Sequence, residues 1–373
     1  MKKSQKQLLS VLFHLAVLGC MVMAYDAGKG MAIKFGWIKS GEKSIESTEI
    51  DLMAKEEKLS TEIDPALAKL VKSKGDAYLF RRDIAFPPHL KVISTELRKL
   101  NKVRFAGKSQ FGEGSMELSV REDEVMEYEM AGGAVRFTMK EKVSEKIPNA
   151  AERLARLKVI EEALQKKQKP PDTRERIVDN LVGKVVQFNY VGKSWKAVPT
   201  QEFKTMAWGK GLEEEVTARL VENSLLSRPR WFGTKPMKTG EVTKLSGKSL
   251  NLLFDGMDNG TIEIFFKGME GVHGHPCAVF EVSGSYVESQ KDNGQGQTVG
   301  GEATIDKGKI WCSLLYPIVL RSDLDLIVSW KTLEGGKLVS QMQGTVNHKM
   351  HRDWKAVTKK PKKPAPAKPP EKK

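Results

Sequence analysis

The chain has 373 residues, of which 40% are hydrophobic and 29% are charged, and it carries a net charge of +15 and three cysteines. This composition is typical of a globular protein that is long enough to bury a hydrophobic core, in one large domain or two. Three N-terminal lysines and the net +6 of the tail from Lys359 leave a net charge of only +6 for the remainder. Because the charge is spread in this way, we expect contact with anionic surfaces and no nucleic-acid partner.

The N-terminus has the layout of a bacterial export signal. Lys2, Lys3 and Lys6 precede an almost unbroken apolar run over residues 8–24. A positive segment followed by an apolar one forms the n-region and the h-region of a signal peptide. We therefore predict an exported protein that is periplasmic, associated with the outer membrane, or secreted.

Two processing signals overlap at the end of the apolar run. Val-Met-Ala at residues 22–24 favours cleavage before Tyr25, whereas Val-Leu-Gly-Cys at residues 17–20 resembles a lipobox in which Cys20 becomes lipidated. An uncleaved anchor is the third alternative, at the lower limit of a spanning length. On any of these readings, membrane contact is expected only through this segment or its lipid.

The rest of the chain divides by composition. Residues 25–63 are mixed and charged, and we interpret them as a weakly ordered leader. Residues 64–355 are predicted to be a β-rich globular region, with a sub-boundary near residues 166–176, where two prolines interrupt the pattern. The region begins with a short helix that has Asp64 as N-cap and Gly75 as terminator.

A meander of strands follows from Arg104. Residues 116–121, 125–130 and 134–140 alternate apolar with polar side chains, and two glycines separate the last two segments. This period of two predicts antiparallel strands with one solvated face.

A helix is predicted next. Asn149 and Glu152 have the spacing of a capping box. The apolar residues at spacings of three and four predict one buried face, and they are Leu154, Leu157, Ile160 and Leu164.

The second half of the chain is predicted to be mainly strands. A strand covers residues 182–191, a helical region covers 202–226, and strands separated by turns follow from Ser249. Polar turns are predicted at residues 255–260, 292–296 and 306–308. The predicted fold class is α+β, mainly antiparallel β, as a curved sheet or open half-barrel with two or three helices packed against it.

The last residues, 356–373, are rich in lysine and proline and have no large apolar side chain beyond Val357. They are predicted to be a disordered, extended tail. The tail either keeps the protein in solution or contacts an anionic envelope surface or a cell-wall polymer.

One segment has metal-ligating residue types at a spacing of two. His273, His275 and Cys277 would share a face if the segment were a regular strand, and imidazole and thiolate are good ligands for zinc or copper. The alternative is a solvent-facing loop before a buried cysteine. Cys277 and Cys312 lie in strand-like segments and could form a disulfide in an oxidising compartment, or remain two buried thiols.

Other signatures of catalysis are missing from the sequence. Gly-Lys-Ser occurs three times, at residues 107–109, 192–194 and 247–249, but each lacks the earlier glycine of a phosphate-binding loop. No Gly-x-Ser-x-Gly occurs. We therefore expect no cofactor and name no catalytic residue.

Short motifs carry a resemblance. A helix end at residues 226–230 runs into a Pro-x-x-x-Gly-Glu turn at 236–241, followed by Gly-x-x-Cys-Ala at 274–278 and Gly-Glu-Ala-Thr at 301–304. On these motifs, residues 182–349 resemble a loose group of uncharacterised secreted bacterial β-rich proteins of planctomycete and verrucomicrobia type. The resemblance implies a curved antiparallel sheet with helical insertions and implies no activity.

Three functions are consistent with these observations. The favoured hypothesis is a non-enzymatic envelope protein that binds a lipid-like or polymeric ligand on a concave sheet face. The second is a metal-dependent hydrolase that uses His273, His275 and Cys277. The third is a structural or assembly factor that binds partner proteins.

Overall fold

The computed structural model describes residues 61–107, 114–131, 134–171, 176–179, 182–191, 194–198, 231–254, 259–292 and 297–357. The predicted signal segment with Cys20, the leader up to residue 60, the helical region over residues 202–226 and the tail from residue 358 lie outside these ranges.

The described chain is mainly antiparallel β-structure with few helices. Its strands are β1 (Lys72–Lys74), β2 (Ala77–Leu79), β3 (His89–Gly107), β4 (Gly114–Ala131), β5 (Ala134–Ile147), β6 (Arg176–Val178), β7 (Val185–Val191), β8 (Ser194–Val198), β9 (Met237–Lys238), β10 (Val242–Ser246), β11 (Gly260–Val272), β12 (His275–Asp292), β13 (Gln297–Ser313), β14 (Val319–Glu334) and β15 (Lys337–Ala356). The helices within the described ranges are α1 (Pro65–Ala68), α2 (Ala150–Gln165) and a 3-10 helix (Gly247–Leu252).

One large sheet dominates the fold. Its strand order is β10-β11-β12-β13-β14-β15-β3-β4-β5-β7-β8, and β6 pairs with β5 beside β7. The chain therefore enters the sheet at its middle, builds outward to β8, and returns from the opposite edge until β15 pairs with β3. The sheet is not closed, because β10 and β8 are its two outermost strands. Strands β1, β2 and β9 form a separate small sheet.

The large sheet has one predominantly apolar face because apolar side chains recur at alternate positions. In β5, Val135 and Phe137 are buried while Arg136 between them is exposed. In β11, Ile262 and Ile264 are fully buried on either side of an exposed Glu263. This is the arrangement that the period of two predicts, and it supplies most of the hydrophobic core.

The buried side chains form three clusters. The first joins β3, β4, β5 and β7 to the starts of β12 and β14 and to the loop over residues 314–318. The second covers β10 to β14. The third is smaller and lies on β3 and β4, with Leu100, Val103, Phe105, Leu118 and Val120.

Aromatic residues from segments distant in sequence pack against the second cluster. The rings of Phe80 and Phe232 lie 4.3 Å apart, and each also packs on Phe280 of β12, at centroid distances of 6.0 Å and 5.5 Å. The guanidinium of Arg82 donates hydrogen bonds to the backbone carbonyls of Trp231 and Phe232. These contacts fasten the segment before β3 and the segment before β9 to the same part of the sheet.

The predicted short helix at Asp64 is present but ends early. The backbone N–H of Ala66 donates to Asp64 Oδ1 at 2.7 Å, which confirms Asp64 as the N-cap. The helix ends at Ala68, and the residues predicted for its last turn form β1 instead. Gly75 has a φ of 63° and lies in the turn between β1 and β2.

The predicted meander is present and is longer than the sequence indicates, because β3 already begins at His89. Near the predicted sub-boundary at residues 166–176, the sheet is continuous: β5 before it pairs with both β6 and β7 after it.

The predicted turn at residues 306–308 is wrong. Strand β13 continues through it, with a register shift against β14 between Ile305 and Lys307. A bulge absorbs one extra residue without reversing the chain. A Cβ at Gly308 would lie 2.6 Å from Val282, so glycine lets the bulged strand lie close to β12.

Candidate functional site

The three residues predicted to bind a metal do not lie on one strand face. His273 and Gly274 form the two-residue turn between β11 and β12, with φ values of 49° and 80°, and Val272 pairs with His275 across it. His273 therefore lies in a turn and not on a regular strand, so it does not share a strand face with His275 and Cys277. In the described part of the chain, no three His, Cys, Asp or Glu side chains are grouped to hold a metal ion.

His273 and His275 instead each pack on another ring. The imidazoles of His273 and His351 are stacked 4.9 Å apart and nearly parallel. His275 stacks on Trp354, and its Nε2 lies 2.9 Å from the Trp354 carbonyl oxygen, so this nitrogen carries the proton and donates it. Burial lowers the pKa of His275, and the Trp354 carbonyl and Asp353 oppose that shift.

Of the two alternatives for Cys277 and Cys312, a disulfide or two buried thiols, the structure has the second: both thiols are free and buried. Cys277 pairs with Ser313 and Ala278 pairs with Cys312, so the two cysteines occupy adjacent rows and project to opposite faces. Burial raises the pKa of both thiols. They behave as small hydrophobic residues of two different clusters.

A different feature distinguishes the apolar face of the large sheet: a row of polar and charged side chains crosses it. We call this the polar band, and its members are Ser94, Glu96 and Arg98 of β3, Glu122 and Glu124 of β4, Lys142 and Ser144 of β5, and His348 and Arg352 of β15. The register places them side by side. Ser94 pairs with both Glu124 and Arg352, and Glu122 pairs with both Glu96 and Ser144.

Apolar residues of the same face border the polar band along the strands. On β3, buried Leu90 and Val92 precede it and buried Leu100 follows it. On β4, buried Leu118 and Val120 precede it. The band therefore lies between the first and the third hydrophobic cluster rather than at the edge of the sheet.

Lys142 is the most buried charge of the band, with a side chain that is 7% exposed. Its Nζ lies 3.4 Å from Glu122 Oε1 and 3.3 Å from Glu124 Oε2. Ser144 Oγ donates to Glu122 Oε2 at 3.2 Å. A buried charge costs several kcal/mol unless it is paired, so this lysine depends on its two carboxylates.

Glu96 links Arg98 and His348. Its Oε1 accepts from Arg98 Nε at 2.5 Å and lies 2.7 Å from His348 Nε2. Burial alone would raise the pKa of Glu96, but the charges and hydrogen bonds of Arg98 and His348 outweigh it and hold the pKa well below its usual range. The carboxylate is therefore ionised wherever the protein is folded near neutral pH.

The other end of the band has donors without acceptors. Ser94 Oγ and Arg352 Nε are buried and have no hydrogen-bond partner within the described residues. Arg352 donates through Nη1 to the Val319 carbonyl at 3.2 Å. Tyr128, two rows away on β4, directs its hydroxyl to the sulfur of Met126 at 3.5 Å, and a thioether is a weak acceptor.

Helix α2 begins beside the band. The capping box is confirmed, since Glu152 N–H donates to Asn149 Oδ1 at 3.0 Å and Asn149 N–H donates to Glu152 Oε2 at 2.9 Å. Glu152 also accepts from Lys146 Nζ at 2.8 Å. Lys146 pairs with Val120, so it belongs to the face that carries the polar band.

The predicted buried face of α2 is wrong. Leu154, Leu157 and Leu164 are 57%, 48% and 59% exposed, and Ile160 is half-buried. The helix turns Ala163 inward instead. These three leucines, which we call the leucine stripe, are an exposed apolar surface of α2, and exposed apolar patches commonly mark binding sites.

Comparison with protein-family models and with curated proteins gives no match for this chain. Among the described residues, no helix has the length and apolar character needed to cross a membrane.

Proposed function

We propose that this protein is an exported, non-enzymatic envelope protein that binds a lipid-like, amphiphilic ligand on the face that carries the polar band. The observation that supports this is the band itself: charged side chains lie across an otherwise apolar sheet face, between two hydrophobic clusters. Apolar residues of similar volume would stabilise a purely structural core as well or better. An amphiphile, by contrast, needs both apolar surface and fixed polar groups.

A lipid-like ligand fits these residues better than a polymeric one. A cell-wall polymer would need an exposed row of polar or aromatic groups, whereas Lys142 and Ser144 are buried. The leucine stripe of α2, the helix that follows β5, would add apolar surface for such a ligand. We propose further that the large sheet curves so that this face is concave.

Ligand binding can be measured directly. Delipidated protein is titrated with the apolar fluorophore 1-N-phenylnaphthylamine, followed by displacement with oleate. We expect a saturable fluorescence increase that oleate reverses, and co-purifying lipid in organic extracts of protein taken from bacterial envelopes. Absence of both signals would overturn the proposal.

The leucine stripe gives a matched pair of variants. Replacing Leu154 and Leu157 by serine should weaken fluorophore binding about tenfold or more, because each leucine that the ligand buries contributes about 1.5–3 kcal/mol. Leu338→Ser is the control, since Leu338 is 55% exposed at the start of β15, away from α2. Equal effects of the two changes would remove the stripe from the binding site.

Partner binding is the second candidate function, because an exposed leucine stripe also suits a protein–protein contact. The same double variant separates the two candidates. Loss of a pulled-down envelope protein with unchanged fluorophore binding would favour an assembly factor. The hydrolase hypothesis gains no support, since His273, His275 and Cys277 form no ligand set.

Export and anchoring are part of the proposal. Intact-mass measurement of the mature protein should show either an N-terminus at Tyr25 or a diacylglyceryl adduct on Cys20. Recovery of full-length protein in the cytosolic fraction would contradict export.

The lysine-rich tail is proposed to contact an anionic envelope surface. Deleting residues 359–373 should make envelope association weaker and less sensitive to salt. Unchanged association after the deletion would remove this role.

A further inference from the structure

We infer that Arg352, Ser94 and Tyr128 form a subsite for an oxyanion, a carboxylate or a phosphate, at one end of the polar band. This rests on the proposed function, and it specifies the headgroup that the site would take. We call these three residues the Arg352 corner. The register places Ser94 directly opposite Arg352, and Leu90, two rows from Ser94, opposite Tyr128.

Arg352 differs from the other cations of the band. Lys142 is paired with two glutamates and Arg98 with Glu96, whereas Arg352 forms no ion pair with any described residue. A guanidinium has five N–H donors and stays charged at all relevant pH values. One backbone carbonyl satisfies only one of those donors, and the buried Nε–H has no acceptor within the described chain.

The Ser94 hydroxyl shares this deficit, and the Tyr128 hydroxyl has only a weak acceptor. Ser94 is 8% exposed and its Oγ has no partner within the described residues, while the Tyr128 hydroxyl meets only the Met126 sulfur. Leaving a buried donor without an acceptor costs about 1–3 kcal/mol, so two such donors on register partners, Arg352 and Ser94, indicate a missing acceptor. Arg352 is also close enough to Tyr128 to act electrostatically on its hydroxyl.

An oxyanion is the acceptor that suits this corner. Guanidinium binds carboxylate and phosphate oxygens with charge-assisted hydrogen bonds, and hydroxyls donate to the same oxygens. Val92 and Trp354 pair in the next row of the same face and are buried, so apolar surface adjoins the corner on one side. Glu124, opposite Ser94, is the charge that opposes an anion here.

The test compares two lipids with the same acyl chain and different headgroups. Oleate carries a carboxylate and monoolein is neutral, and each is titrated into delipidated full-length protein by calorimetry. We expect wild-type protein to bind oleate about tenfold or more tightly than monoolein. Arg352→Gln should reduce the affinity for oleate to the affinity for monoolein, and it should leave the affinity for monoolein unchanged. Arg136→Gln, an exposed arginine on the opposite face of β5, is the control.

Three further measurements distinguish the alternatives. Ser94→Ala should weaken the binding of oleate but not that of monoolein. This variant serves as the test if Arg352→Gln does not fold. Glu124→Gln should strengthen oleate binding. Inorganic phosphate that raises the melting temperature of wild type but not of Arg352→Gln would support the subsite and identify a free anion as its occupant.

The outcomes are distinguishable from failure of the proposed function. If oleate and monoolein bind equally to wild type, or if Arg352→Gln leaves oleate binding intact, this inference is wrong while lipid binding stands. If neither lipid binds and phosphate has no Arg352-dependent effect, both proposals fail.

Discussion

Trp330 of β14 lies directly against Gly301 of β13, its register partner. A Cβ added at Gly301 would be only 2.3 Å from Trp330 Cε3 and 2.4 Å from Cδ2. The glycine therefore leaves the space that the indole fills. This contact also gives a physical reason for the glycine in the Gly-Glu-Ala-Thr motif of residues 301–304.

Gly301→Ala should destabilise the protein by about 1–3 kcal/mol, the usual cost of overpacking. The measurement is the free energy of unfolding in urea. Gly233→Ala is the control, because its Cβ would have no neighbour closer than 3.9 Å. Adding Trp330→Ala to Gly301→Ala should remove the clash, so strictly additive losses in the double variant would contradict this explanation.

The strands could be predicted from the sequence wherever one face is apolar throughout. Residues 134–140 alternate, and β5 is present as expected. The polar band could not be predicted, because residues 121–124 are all polar and give no indication of which side chains point inward. Glu122 and Glu124 face the core only because β4 pairs in register with β3 and β5, over long sequence distances.

Two other errors have local physical causes. A helical period identifies the leucine stripe of α2 but not whether any element covers it. Likewise, a spacing of two predicts a shared face only in a continuous strand, and the His273–Gly274 turn interrupts it. The capping box at Asn149 and Glu152 was predictable because it depends on residues three apart.

His275 should make the protein less stable in mild acid. Burial lowers the pKa of His275 below the usual histidine value of about 6.5, so below about pH 6.5 the unfolded chain binds a proton more readily than the folded protein does. The stabilisation is complete above pH 6.5 and is lost as the pH falls toward the folded pKa, by at most about 1.4 kcal/mol per pH unit. Unfolding free energies measured from pH 8 to pH 5 should show this decline.

The pH dependence should depend on this one side chain. His275→Asn should flatten the curve of unfolding free energy against pH between pH 6.5 and pH 5. A decline that persists in His275→Asn would assign the effect to another group.

Glu96→Gln should cost about 2–4 kcal/mol at pH 7, because it leaves Arg98 and His348 without their carboxylate in a partly buried site. The pKa of Glu96 is lowered in the folded protein, so its stabilisation is present above the unfolded value of about 4.3 and is lost at lower pH. The difference between variant and wild type should therefore shrink below about pH 4.

The control for Glu96 is Glu127→Gln. Glu127 lies 3.3 Å from Lys140 in an exposed pair on the other face, and such pairs contribute about 0–1 kcal/mol. Equal losses of unfolding free energy in the two variants at pH 7 would show that Glu96 in the polar band stabilises the protein no more than an exposed ion pair does.

The cysteines should be unreactive in the folded protein. Cys277 and Cys312 are free and buried, and burial raises the pKa of both thiols, so little nucleophilic thiolate forms near neutral pH. In a Cys20→Ser background, Ellman's reagent should label neither thiol under native conditions and both in guanidinium chloride. Ser285→Cys, at an exposed position of β12, is the positive control for labelling.

A reductant should leave the denaturation midpoint unchanged, because Cys277 and Cys312 project to opposite faces of the sheet and form no disulfide. A lower midpoint after reduction would contradict the register of β12 and β13.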